Sequence, residues 1–183
     1  MDIKNKTFGL ILVFLAIIIF LSFSLFRCIK ANIVLKEALP YLLPGEKVNS
    51  LDLIDVAEPA VIKKDLTASR LSLIFIIPRS SCITCDKNMV YWKKYAALFT
   101  DTISIYGIVL TNISEAANFS LDAKLNFPLF TPENLSAFTM KFRIKFNYPQ
   151  TIIFKGNEIR YLQFGDLDGE MAKNIIKIIK NLK

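Results

Sequence analysis

The chain contains no histidine, and only three cysteines and one tryptophan among its 183 residues. Without histidine, an imidazole general base and His-containing metal sites are excluded together. Three cysteines offer too few soft ligands for a four-cysteine zinc or iron–sulfur site. Charge is missing from one long stretch: no Asp, Glu, Lys or Arg occurs from Thr7 to Phe26. Clustered positive charge is scarce as well. The net charge is +7, but residues 31–183 hold 15 Lys and 4 Arg against 15 acids, with Lys63-Lys64 and Lys93-Lys94 the only basic doublets. A nucleic-acid surface needs a clustered basic stripe, so nucleic acid is not expected as a partner. There is no internal repeat.

What is present is first of all apolar. Hydrophobic residues make up 53% of the chain, and the excess is concentrated in the run Leu10 to Leu21. About 20 such residues let an α-helix cross the hydrocarbon core. Residues 8–26 are therefore predicted to span a membrane once, with residues 1–30 as the anchor and 31–46 as a juxtamembrane connector. A cleaved signal peptide is the competing reading, with Lys4 and Lys6 as its basic n-region and Ser22-Phe23-Ser24 as a poor cleavage site. The apolar run is long for an h-region, which favours the uncleaved anchor. Cys28 follows Phe26 and Arg27 rather than small residues, which disfavours acylation there. Lys4 and Lys6 flank one side of the span and Arg27, Lys30 and Lys36 the other, so the positive-inside rule gives no decision. The short N-terminus and large C-terminal domain fit a cytoplasmic N-terminus and a domain on the extracytoplasmic, periplasmic side. Disulfide chemistry is at home there.

One tetrapeptide carries the chemistry. Cys82-Ile83-Thr84-Cys85 lies between the apolar run Leu71–Ile77, which ends at Pro78, and a helical pattern. The run is short and rich in β-branched and aromatic residues, as a buried central strand is. In the helical pattern Cys85, Met89, Trp92, Ala96 and Phe99 recur at steps of four and three, one face of a helix. Two thiols at this spacing form a dithiol that closes to a disulfide and reopens. A purely structural disulfide would close too small a loop here to stabilise much. The nucleophile is a thiolate, and the helix N-terminus favours negative charge at Cys82. Arg79 and Lys87 would add to that effect and Asp86 would oppose it. Cys82 is thus the expected outward attacking thiol and Cys85 the inward resolving thiol.

The rest of the chain reads as strands and helices in alternation. A strand is predicted within Val48–Asp55, a polar connection over 63–69, and a second buried strand over Ile103–Leu110. Ser114 is predicted to start a helix. Phe127–Phe130 reads as a short extended piece, followed by a helix with Thr131 as N-cap and Pro132 in its first position. Thr151–Phe154, the turn 155–158 and Ile159–Phe164 form a hairpin. The last helix runs from about Leu167 to Leu182, with Ile175, Ile178, Ile179 and Leu182 on one stripe. The expected class is α/β, a mixed sheet with helices on both faces.

With these pieces in order, residues 43–183 resemble the thioredoxin fold, and within it the membrane-anchored TlpA/ResA-like thiol-disulfide oxidoreductases related to the redoxin and AhpC/TSA proteins. The resemblance rests on Leu43-Pro44-Gly45-Glu46-Lys47-Val48, the strand leading to Cys82 and Cys85, Phe127-Pro128-Leu129, and Tyr148-Pro149 ahead of Thr151–Gly156. It implies a thioredoxin-like domain over residues 47–183 behind one transmembrane helix. Pro149 would be a cis-proline beside the dithiol, and the backbone of Tyr148 would pair with an extended substrate; Ile83 and Thr84 would complete that contact. The implied enzyme exchanges disulfides with protein thiols, takes or gives electrons through a second redox partner, and uses no cofactor or metal. The sequence departs from the family in Ser81 ahead of the first cysteine, in Ile83-Thr84 between the cysteines, and in Ile76 where thioredoxins bury an acid. A thiol peroxidase drawing on Arg79, Ser80, Ser81 and Arg143 is one alternative, and a low-turnover partner-binding protein is another.

Overall fold

The computed structural model describes residues 17–27, 42–66, 71–78, 83–99, 101–144 and 148–183. The chain divides into two compact units, Met1–Leu39 and Pro40–Lys183. In the first, residues 17–27 form a helix (α1) whose eight large apolar side chains, from Ile17 to Phe26, are all exposed. Among the described residues no helix is long and apolar enough to cross a membrane; residues 8–16 of the predicted span lie outside them.

The second unit is built on a seven-stranded sheet. Its elements are β1 (Ser50–Asp55), β2 (Val61–Asp65), β3 (Leu71–Ile77), α2 (Ile83–Phe99), β4 (Ser104–Val109), α3 (Ile113–Ala123), β5 (Leu129–Pro132), α4 (Leu135–Lys141), β6 (Gln150–Lys155), β7 (Glu158–Phe164) and α5 (Gly169–Leu182). The strand order is β2-β1-β5-β4-β3-β6-β7. β3 and β5 run parallel to β4; every other neighbouring pair is antiparallel. β3 is central and buried at all seven positions, which is why it reads as an unbroken apolar run rather than an alternating one.

The period of two along β3 divides the core between the two faces of the sheet. Leu71, Leu73, Phe75 and Ile77 join Trp92 of α2, Phe119 of α3 and Ile175 of α5. Ile74 and Ile76 join Tyr106, Phe130 and the α4 residue Phe138 on the other face. The expected mixed sheet with helices on both faces is thus what the chain forms.

Three local expectations are corrected. Residues 61–65 form the edge strand β2 where a polar connection over 63–69 was predicted. As an edge strand paired only with β1, β2 needs little apolar content, and Lys63 and Asp65 point to solvent. The cap of α3 is Asn112 rather than Ser114: its side chain accepts from the Glu115 N–H, and the Glu115 carboxylate accepts from the Asn112 side chain in return. Thr131 and Pro132 close β5 and do not open α4, which Asn134 caps. Pro132 is tolerated at a strand end, where its missing N–H breaks no ladder.

Candidate redox site

The first turn of α2 leaves the sheet at the carboxyl end of β3, and Asp86 in that turn complements the helix dipole. Cys85 stands there with no exposed surface, within the same cluster as Phe75, Ile77, Met89 and Trp92. Its sulfur is disulfide-bonded. The other two cysteines of the chain, Cys28 and Cys82, lie outside the described residues, as do Arg79, Ser80 and Ser81. Ile83 and Thr84 are the first residues of α2.

The second part of the site comes from the start of β6. Gln150 is the register partner of Ile76 in β3, so Pro149 sits at the sheet edge from which the chain runs on toward α2. Pro149 is buried and Tyr148 is 56% exposed. The peptide bond between them is not cis, because no peptide bond among the described residues is. This corrects the cis-proline that the resemblance implied; trans is the lower-energy isomer of an X-Pro bond by about 0.5–1 kcal/mol.

Three contacts fix α2 against this edge. Asn88, one turn after Cys85 and buried, donates from Nδ2 to the Gly165 carbonyl at 2.8 Å, and its Oδ1 accepts from the Leu167 N–H at 2.7 Å. Gly165 in turn donates its N–H to the Pro149 carbonyl at 2.9 Å. Trp92 stacks on Phe75 with centroids 4.9 Å apart and donates its indole N–H to Thr151 Oγ1 at 3.0 Å. Outside them, Lys87 Nζ lies 3.4 Å from Asp166 in an exposed pair. The positive charge expected near the dithiol is therefore partly offset by a neighbouring carboxylate.

Arg143 is not part of this arrangement. Its Nη1 meets Glu46 Oε1 at 3.0 Å in a mostly buried pair. The Glu46 backbone carbonyl accepts from the Ile159 N–H near the start of β7, at the end of the sheet where β3 begins. Asn88, Thr151, Gly165 and Asp166 are not among the residues that the sequence pattern singles out. Asn88 carried a signal: it is a polar residue three positions after Cys85 and four before Trp92, inside the apolar stripe. Thr151 is 59 positions from Trp92 and carried none.

No protein-family model and no curated protein matches the sequence. Solved structures do match the fold. The chain is similar to a candidate thiol:disulfide interchange protein DsbE from Chlorobium tepidum, with a TM-score of 0.64 and 13% identity over 78% of this chain and 99% of the other. It is similar to the thioredoxin domain of a thiol-disulfide oxidoreductase from Bacteroides vulgatus, at 0.61 and 15% over 75% and 98%. It is similar as well to peroxiredoxin Q from Xanthomonas campestris, at 0.61 and 14% over 79% and 100%. At such identities the likeness is one of fold: the C-terminal unit has the thioredoxin-like fold.

Proposed function

We propose that this protein is a membrane-anchored thiol-disulfide oxidoreductase acting on protein substrates outside the cytoplasm. The observation that carries the reading is the buried, disulfide-bonded Cys85 in the first turn of α2, at the sheet edge that also bears Tyr148 and Pro149. Cys82 is the proposed partner of Cys85, immediately ahead of the helix. In the reduced form the Cys82 thiolate attacks a substrate disulfide, forming a mixed disulfide and expelling one substrate thiolate, which takes up a proton. The Cys85 thiolate then attacks the Cys82 sulfur, closing the internal disulfide and releasing the second substrate thiolate. The reverse sequence oxidises substrate, and relative reduction potentials set the direction. Arg79 and Lys87 favour the Cys82 thiolate, while Ile83, Thr84, Tyr148 and Pro149 receive the substrate chain. A second redox partner resets the dithiol. The uncharged run over residues 8–26 is the anchor.

Two variants of the full-length protein test this. Cys82→Ser abolishes exchange. Cys85→Ser accumulates mixed disulfides through Cys82, and these sediment with the membrane fraction. No trapped species would remove the exchange reading, and soluble trapped species would remove the anchor.

A thiol peroxidase is the second reading, favoured by the likeness to peroxiredoxin Q. It is weakened by Arg143, whose guanidinium is engaged by Glu46 near the start of β3. Peroxide consumption by Cys85→Ser with an added dithiol would favour it.

A further inference from the structure

Asn88 of α2 is buried, and both ends of its amide are used. Its donor and acceptor grip Gly165 and Leu167, two residues apart in the segment between β7 and α5. Gly165 stands at φ +75, a conformation that favours glycine, and passes the contact on to the Pro149 carbonyl. The path from the helix of Cys85 to the loop of Tyr148 is thus two hydrogen bonds through one backbone unit. An amide buried for packing alone is replaced by an apolar residue at little cost when its partners go with it. Here the partners are backbone groups of the segment that holds Pro149, and they remain.

Resting on the oxidoreductase reading, we propose that Asn88 is a positioning residue for the exchange reaction: through Gly165 it sets the Tyr148–Pro149 loop at a fixed distance from the dithiol, so that an extended polypeptide is held in line with the sulfur it attacks. In this role Asn88 acts through Gly165 and not by contact with the substrate. Its effect therefore depends on the reagent. A polypeptide thiol needs the loop, whereas a small dithiol reaches the disulfide without it.

The experiment measures reduction of the oxidised full-length protein by two reagents, dithiothreitol and an extended peptide carrying two thiols. Asn88→Ala removes both bonds. Asn88→Asp keeps the shape and the acceptor for the Leu167 N–H but loses the donor to Gly165, and it serves where the alanine variant does not fold. For either variant the peptide reaction slows about 10- to 100-fold, the range that a small misplacement of reacting groups costs. For Asn88→Ala the dithiothreitol rate and the equilibrium potential stay at the wild-type values; Asn88→Asp adds a carboxylate near the dithiol and is judged on the ratio of its peptide and dithiothreitol rates. Equal slowing with both reagents, or no slowing with the peptide, overturns the proposal. In the wild type the Gly165 amide exchanges with solvent hydrogen as slowly as the α2 interior, and fast exchange there overturns it too. Wild-type protein that reacts with neither reagent removes the oxidoreductase reading itself, a result distinct from any of the variant outcomes.

Discussion

Tyr106 buries its ring edge-on to Phe130 at 5.6 Å, and its hydroxyl has no hydrogen-bond partner among the described residues. A buried hydroxyl stripped of water and left unpaired costs about 1–3 kcal/mol. Tyr106→Phe removes that cost and the substitution is expected to stabilise the domain by about that amount, read as a higher urea midpoint with an unchanged slope. Burial also raises the Tyr106 and Tyr95 phenols well above their ordinary value of 10.0, with nearby Tyr161 and Tyr91 adding at Tyr95. The sign follows from linkage: a group whose folded-state value is raised contributes stability that is complete below the unfolded value and is lost above it. Stability should therefore hold steady up to about pH 10 and fall beyond it, less steeply in Tyr106→Phe. A pH series of urea melts checks both points; a fall that begins well below that pH would contradict the assignment. At this scale the sequence was legible where a period governs. Cys85 and Trp92 lie inward because they fall on one helical stripe, and both are fully buried. Thr151 and Gly165 were not legible, because their partners on α2 and at Pro149 come from distant parts of the chain.

Elements show the same division. β3 and α2 were legible because they are long and strongly patterned. The edge strand β2 was not, because pairing on one side only lets it carry as many charges as a loop does. The starts of α3 and α4 were displaced because asparagine, serine and threonine compete for the cap, and the side chain that reaches the free N–H groups wins. β4 contains Gly107, on which a Cβ would come to 2.8 Å from Leu129 Cδ1 and 3.0 Å from the Phe127 ring. Both neighbours are buried side chains, so they must repack against the core to make way. Gly107→Ala is expected to destabilise the domain by about 1–3 kcal/mol through this overpacking. Calorimetry would show a lowered melting temperature, and faster amide exchange would be confined first to the β4–β5 pairing. An unchanged melting temperature would mean that the close approach is absent.

For the whole molecule, the alternation of buried strands and patterned helices made the α/β class legible, and the helical stripe made the inward position of Cys85 legible. The geometry joining the site's parts was not, since it is made by the sheet register that brings Gln150 beside Ile76. The proposed chemistry requires that Cys85 form a reversible disulfide with Cys82. The direct measurement equilibrates the full-length protein across a series of thiol-disulfide buffers, alkylates the free thiols and maps them by mass spectrometry. One two-electron transition is expected, about 30 mV per tenfold change in the reduced-to-oxidised ratio, in which Cys82 and Cys85 are labelled together while the fold persists. Pairing of Cys85 with Cys28, or a disulfide that opens only when the domain unfolds, would contradict it.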